Sequence, residues 1–363
     1  MKISDVQAHV LSIPIREKEF PAPWSWGKFS QVIVEIKTDE GITGYGESFG
    51  YGAPEAVAAV VNHTLKPLLL GSDPAGIHSL LDLMFRKTHF FGRYGITTFA
   101  ISGVDIALWD LSGKRAGLPL SRLWGSGDIK AIPAYASLTR YADMEQLKMV
   151  SLHAKKSGYK MIKLHQLDVN SVRGAREALG DEILLTLDVN CPWSPEKALE
   201  MCRELAPFSL TWLEEPIWPP EDFRSLARLG LAGGIPIATG ENACTVFQFK
   251  ELLEAGAATY IQPSVIKVGG ITEFRKIAAL AEAYNVKLAP HSAYFGPGLL
   301  ATAHLIAGSS QAVALEHFYF QLEASVFKEP LRFEKGQFII PKGPGLGLEI
   351  DGAVLKEFVS NPK

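Results

Sequence analysis

Three acidic residues, each closing a short apolar run, constrain this chain more than anything else in it. Asp188 ends Ile183-Leu-Leu-Thr-Leu, Glu214 ends Leu210-Thr-Trp-Leu and Glu241 ends Ile235-Pro-Ile-Ala-Thr-Gly, at spacings of 26 and 27 residues. Apolar runs of this length, bounded by Gly and Pro with helical patterns between them, read as buried parallel strands of βαβ units. An acid therefore recurs at the carboxyl end of successive strands, the rim where parallel barrels place their chemistry. Neighbouring strands lie about 4.8 Å apart, and two carboxylates about 4 Å apart repel by roughly 4 kcal/mol at an effective dielectric near 20. Three in one mouth need a cation, or one must hold a proton. Acids that only capped the following helices or paired with local lysines would need neither. A donor set made of oxygen alone selects a hard ion, Mg²⁺ first.

At 363 residues there is room for a parallel barrel and a smaller second domain. The hydrophobic fraction of 47% and charged fraction of 21% are those of a globular protein. A formal net charge of −3 gives no basic field for nucleic acid or anionic lipid. Cys191, Cys202 and Cys244 lack metal-type spacing and imply a reducing compartment without a disulfide framework. Asp5 stands where a signal peptide would begin its apolar core. The most apolar long segment, residues 97–111, is interrupted by Asp105 and Asp110. We expect a soluble cytoplasmic protein, assembled as a homo-oligomer, acting on a small-molecule carboxylate and not on nucleic acid or membrane.

The N-terminal part reads as strands followed by helices. Residues 31–37 and 42–48 flank Thr38-Asp-Glu-Gly41, a hairpin turn signal. Before them lies an aromatic loop with Phe20, Trp24, Trp26 and Phe29, and after them a glycine-rich loop with Tyr51. Such aromatics either close over a ligand or form a small satellite core. Helices are expected over 54–70, from the Ser72-Asp-Pro cap onward, and over 97–116 with a glycine stop at Gly117. From Ala131 a βα rhythm takes over, with strands starting near Ala131, Tyr159, Ile183, Leu210, Ile235, Thr259, Val286 and Ala312. Helical patterns between them include 142–157, 195–206 and 272–284. The expected architecture is α/β: an α+β capping domain over residues 1–125, a modified TIM barrel, (β/α)₇β, over 126–318, and a segment over 319–363 returning to the first domain.

The rhythm selects further polar tips. Period-two alternation along Tyr159-Lys-Met-Ile-Lys-Leu-His165 puts Lys163 and His165 on one face and Ile162 and Leu164 on the other. The apolar face belongs against the helices, so Lys163 and His165 point into the mouth, where Ser264, His291 and Glu316 fall at matching positions. Lys267 with Gly269-Gly270 reads as a helix start more than as a phosphate cradle. A divalent ion facing a lysine and histidines suits removal of a proton next to a carboxylate, the ion holding the developing charge while a base of tuned pKa takes the proton. Desolvation and a nearby cation would push such a lysine towards neutrality.

These features come together in a resemblance. Ala100-Ile-Ser-Gly-Val-Asp-Ile-Ala-Leu-Trp-Asp-Leu-Ser-Gly-Lys114, Leu187-Asp-Val-Asn190, Trp212-Leu-Glu-Glu-Pro216, Thr239-Gly-Glu-Asn242, Pro290-His291 and Pro344-Gly-Leu-Gly347 make the whole chain resemble the mandelate racemase group of the enolase superfamily. The resemblance implies a capping domain, a (β/α)₇β barrel and Mg²⁺ bound by Asp188, Glu214 and Glu241. It assigns the loops around Trp24 and Tyr51 to substrate selection, Glu316 to the substrate carboxylate, and Asn190 to the neighbourhood of metal and substrate.

Two positions depart from the group's pattern. Its second barrel strand carries Lys-x-Lys with the second lysine as base, and here that position is His165. Its histidine on the far side pairs with an aspartate, and here Ser264 stands at that position, so His291 loses its orienting anion and should have a lower pKa. The first reading is an acid-sugar dehydratase. His165 is the base, Lys163 holds the carboxylate or shares that role, His291 is the acid for the leaving hydroxyl, and Ser264 lies with the substrate-binding residues. The alternatives are a racemase, epimerase or cycloisomerase, a metal-binding relative without turnover, and a Schiff-base aldolase using Lys163.

Overall fold

The computed structural model describes residues 1–16 and 27–360. Trp24, with Phe20 and Trp26, lies outside the described residues. Among the described residues no helix is long and apolar enough to cross a membrane.

Three antiparallel strands open the chain: β1 (Ile3–Pro14), β2 (Lys28–Thr38) and β3 (Thr43–Ser48), in that order across the sheet. Thr38 and Ile42 close the β2–β3 turn, which Gly41 enters at φ 80°. The helix Ile96–Ala116 lies on this sheet and stops at Gly117 in the left-handed region, as the sequence predicts. A Cβ on Gly46 would come within 1.9 Å of the Gly103 carbonyl oxygen, so helix and sheet touch backbone to backbone. The opposite side of the helix meets the barrel helix Gly270–Ala283. There buried Asp105 accepts from the Thr272 amide (2.9 Å) and hydroxyl (2.7 Å).

Two helical expectations shift. The 54–70 segment is α-helical only at its ends, with a π-helical stretch over Val60–Leu65. The Ser72-Asp-Pro signal makes a turn, in which Asp73 accepts from the Ala75 amide, and the helix itself begins at Ile77. An Asx turn satisfies the local donors first and delays helix entry.

Eight parallel strands then form the barrel: β4 (Ala131–Ser137), β5 (Met161–Leu164), β6 (Leu184–Asp188), β7 (Trp212–Glu214), β8 (Ile237–Thr239), β9 (Tyr260–Ile261), β10 (Lys287–Leu288) and β11 (Leu315–Phe318). Each is hydrogen-bonded to the next, β11 pairs β4, and the ring closes where Leu288 bridges Ala312. A helix follows each strand from β4 to β10, giving (β/α)₇β. After β11 the chain forms a hairpin, β12 (Phe333–Glu334) and β13 (Gln337–Ile339), whose second strand adds antiparallel to β4. The sequence reads this tail as irregular, because strands of two and three residues are too short to show period two. Beyond it, Leu11 of β1 bridges Val359.

Phe29, expected in a loop, starts β2 and packs edge-on to Phe295, Phe318 and Phe320, with centroids 5.2–6.4 Å away. It belongs to a satellite core that joins the first sheet to the end of the barrel.

Glu47, at the end of β3, makes a second tie. It is buried and accepts from the Gly298 amide (2.9 Å) at the start of the helix Pro297–Ala307 and from Gln31 Nε2 (3.2 Å). Burial pushes its pKa up to about 7, against the pull of those hydrogen bonds. The folded state thus holds the proton more tightly than the unfolded chain. Stability from Glu47 is full below the usual glutamate pKa and is lost as pH rises through about 7. Glu47→Gln should match the native protein near pH 5 and exceed it by about 1–3 kcal/mol at pH 8 in denaturant titrations. A rotated Gln31 amide would present Oε1, which has no hydrogen-bond partner among the described residues, to the new amide.

Candidate active site

Inside the barrel two layers of side chains alternate with the pleat. The lower layer is apolar: Tyr135, Met161, Trp212, Ala238, Ala289 and Ala314. Two residues further along these strands the side chains turn polar: Lys163 after Met161, Glu214 after Trp212, His291 after Ala289 and Glu316 after Ala314. Trp212 also supports the upper layer, donating from Nε1 to Glu214 Oε2 (2.9 Å). The apolar floor excludes water from below, which strengthens every charge interaction above it.

Asp188, Glu214 and Glu241 each offer one carboxylate oxygen, and the three oxygens lie within 4.8 Å of one another. Asp188 and Glu214 are fully buried and Glu241 is half-buried. Asn190 holds Asp188 in place, donating to Oδ1 from both its backbone and its side-chain nitrogen at 2.9 Å. Burial pushes Glu214 well above the usual carboxylate range, with the charges of Asp188, Glu316 and Glu241 adding to that push and Lys163 opposing it. Convergent hard oxygens with more negative charge than one ammonium neutralises fit a divalent cation.

Lys163, almost wholly enclosed, reaches three carboxylates: Glu214 at 2.7 Å, Glu316 at 2.8 Å and Asp188 at 3.3 Å. Burial alone would lower its pKa, but these anions outweigh burial and raise it well above the ordinary lysine value. The expectation of a lysine driven towards neutrality is therefore corrected. Its partners respond in kind: burial opposes the charge on Glu316, yet Lys163 and His291 hold its carboxyl down at about 2. A lysine so paired offers no free amine for Schiff-base chemistry.

The two histidines flank the acids. His165 lies just past β5, where Nδ1 meets the Leu138 carbonyl and Nε2 stands 3.2 Å from Asp188 Oδ2. A carbonyl can only accept, so Nδ1 carries a hydrogen, while Nε2 donates to Asp188 when the ring is protonated and offers a lone pair when it is neutral. On the other flank His291 Nε2 lies 3.1 Å from Glu241 Oε2, and its buried Nδ1 has no hydrogen-bond partner among the described residues. Burial lowers the His291 pKa, with Lys267 and Lys163 adding to that pull against Glu241 and Glu316. Ser264 does not replace the missing acid. Its hydroxyl lies 3.3 Å from the Tyr294 hydroxyl, which donates to the His291 backbone carbonyl (2.6 Å). Tyr51 stacks on Phe49 with centroids 5.7 Å apart, and burial raises its pKa, with the nearby Glu241 charge adding to the rise.

The sequence did not single out Glu215. Alternation from Glu214 would send it outward, but its φ of 46° turns it back, so both glutamates are buried. Thr239 Oγ1 (3.0 Å) and the Gly240 amide (2.9 Å) donate to it, as does the Cys191 thiol (3.3 Å). Burial pushes its pKa up to about 7. The adjacent pair Glu214-Glu215 before Pro216 was the available signal.

Two family models match the chain: the mandelate racemase / muconate lactonizing enzyme N-terminal domain over residues 6–125 and the enolase C-terminal domain-like family over residues 146–354. Arabinonate dehydratase of Saccharolobus solfataricus is 35% identical over 338 residues, covering 90% of each chain. The 3,6-anhydro-alpha-L-galactonate cycloisomerase of Streptomyces coelicolor is 36% identical over 332 residues, covering 89% of this chain and 90% of the relative. Among solved structures, a racemase from Streptomyces coelicolor with bound magnesium aligns with a TM-score of 0.87 at 33% identity, covering 99% of this chain and all of that one.

Proposed function

The chain belongs to the mandelate racemase and muconate lactonizing enzyme family of the enolase superfamily, and on that premise we propose that it is a Mg²⁺-dependent lyase that dehydrates an acid sugar. The substrate is an aldonate or aldarate and the product a 2-keto-3-deoxy acid. The observation that carries this is the pair of imidazole nitrogens, His165 Nε2 and His291 Nε2, set against Asp188 and Glu241 from the two flanks of one acidic cluster.

Asp188, Glu214 and Glu241 would hold Mg²⁺, as their converging oxygens allow. The ion would stabilise negative charge developing on the substrate carboxylate as the α-proton leaves. Lys163, charged and fixed by its carboxylates, orients that carboxylate, with Glu316 beside it. His165 Nε2 takes the α-proton, its tautomer set by the Leu138 carbonyl. The C–H electrons form the α–β double bond, the bond to the β-hydroxyl breaks, and a proton from His291 Nε2 releases it as water. The remaining enol tautomerises to the keto acid. Tyr51 and Asn190 line the substrate's approach, and Ser264 sets the His291 segment through Tyr294.

The cycloisomerase relative supports a second reading, in which the same α-proton step expels a ring oxygen and no water is lost. Incubation of an acid-sugar library with Mg²⁺ in D₂O separates these outcomes. We expect a keto acid lighter than its substrate by one water and deuterated at the former β-carbon. A keto acid of the same formula as its substrate would indicate the cycloisomerase. Deuterated substrate without keto acid would indicate a racemase and overturn the lyase.

A further inference from the structure

We propose that Lys267 reads a second, distal carboxylate, so that the preferred substrates are dicarboxylic acid sugars. This rests on the proposed function, because it takes the α-carboxylate to be held at the Lys163 end of the site. Lys267 lies in the turn after β9 that begins at the Ser264 tip, its amide donating to the Ser264 carbonyl (2.9 Å). The residue is only 6% exposed, and Nζ sits 4.8 Å above the ring of Phe49.

Other buried cations in this barrel are fully engaged. Lys163 meets three carboxylates, and Arg176 donates to four backbone carbonyls. Among the described residues, Lys267 has neither a carboxylate within ion-pair distance nor a hydrogen-bond acceptor. An aromatic face offsets part of the cost of a buried cation, and a counter-ion offsets far more. The molecule keeps this charge where its field reaches His291, adding to the burial that lowers the imidazole pKa, and the Cys244 thiol, where it works against the burial that raises the thiol pKa.

The position suits a ligand anion. Phe49, which carries Lys267 on its ring, also stacks on Tyr51 beside Glu241. Lys267 therefore stands on the His291 flank, across the acidic cluster from the Lys163 and His165 flank. A substrate whose α-carboxylate lies at Lys163 would extend its far end towards that flank. One ammonium with no clustered donors matches a carboxylate better than a phosphate, which recruits several donors. A neutral hydroxyl end would leave the cation uncompensated.

Calorimetric titration of the Mg²⁺-loaded protein with 2-oxoglutarate and with 2-oxopentanoate tests this, since the two acids differ only in the distal carboxylate. We expect the diacid to bind about tenfold or more tighter. Lys267→Met should remove that preference by weakening the diacid alone, and Lys267→Arg should keep it. Equal affinity of the native protein for the two acids would overturn the proposal. So would an equal loss of both acids in Lys267→Met, which marks a packing role against Phe49. If neither acid binds the native protein, the α-carboxylate site itself fails and the proposal falls with it.

Discussion

Replacing His165 with asparagine should lower kcat by about 10³-fold while leaving Mg²⁺ binding in place. The imidazole is held at one end by the Leu138 carbonyl and presents its other nitrogen beside Asp188. Asparagine keeps the side chain neutral and polar but has no basic nitrogen. The loss should appear equally in keto acid formation and in α-proton exchange, because both require the same proton to leave. His291→Asn separates the steps: exchange of the α-proton into D₂O persists while keto acid formation falls. Calorimetry with Mg²⁺ checks that the acidic cluster survives either change. If His165→Asn still exchanges the α-proton at the native rate, the base lies elsewhere in the site.

The second large effect concerns Lys163. Lys163→Met removes the ammonium that three enclosed carboxylates share. Breaking a buried ion pair from one side costs about 3–5 kcal/mol. Without bound metal the variant should be less stable than the native protein by that order at neutral pH. The pH dependence follows from the depressed carboxyls. Glu316, held at about 2 against its own burial by Lys163, stabilises the native fold above the ordinary glutamate pKa and loses that stability as pH falls towards 2. Asp188 shifts in the same direction: burial opposes its charge, while Lys163 and His165 favour it. The gap between native and variant should be widest near neutral pH and should close on acidification. Added Mg²⁺ should recover part of it, as a ligand that binds only the folded state does. Turnover should fall by about 10³-fold or more, since the lysine also orients the substrate. Equal stability of the two proteins in EDTA at pH 7.5 would show that the carboxylates do not depend on this lysine for their charge.

Much of the fold was legible because it rests on local periodicities. Acids recurring every 26 or 27 residues at the ends of apolar runs fixed a parallel barrel with its chemistry on one rim. Alternation along β5 placed Lys163 and His165 on the inner face, because successive side chains on a strand must point to opposite sides. Gly117 announced the end of the long helix through its left-handed φ of 68°. Other features were invisible for equally physical reasons. β12 and β13 are too short to carry a pattern and exist because β4 offers them an edge. Glu215 joined the interior through a backbone dihedral that no alternation rule anticipates.

The sequence by itself determined which side chains reach the barrel mouth, since strand geometry is covalent and local. Only the tertiary structure decided what those side chains do. Whether Lys163 is an ammonium or an amine depends on carboxylates from β6, β7 and β11, separated by up to 153 residues of chain. His165, the base expected from the sequence, has one ring nitrogen taken by a carbonyl from the β4 loop, which leaves only the other for the site. Lys267, which the sequence reads as part of a helix start, emerged as a cation without a carboxylate partner among the described residues once Phe49 came to lie beneath it from the N-terminal sheet. Protonation and pairing are set by distances of a few ångströms across the fold, where Coulomb energies in a dry interior outweigh any preference written along the chain.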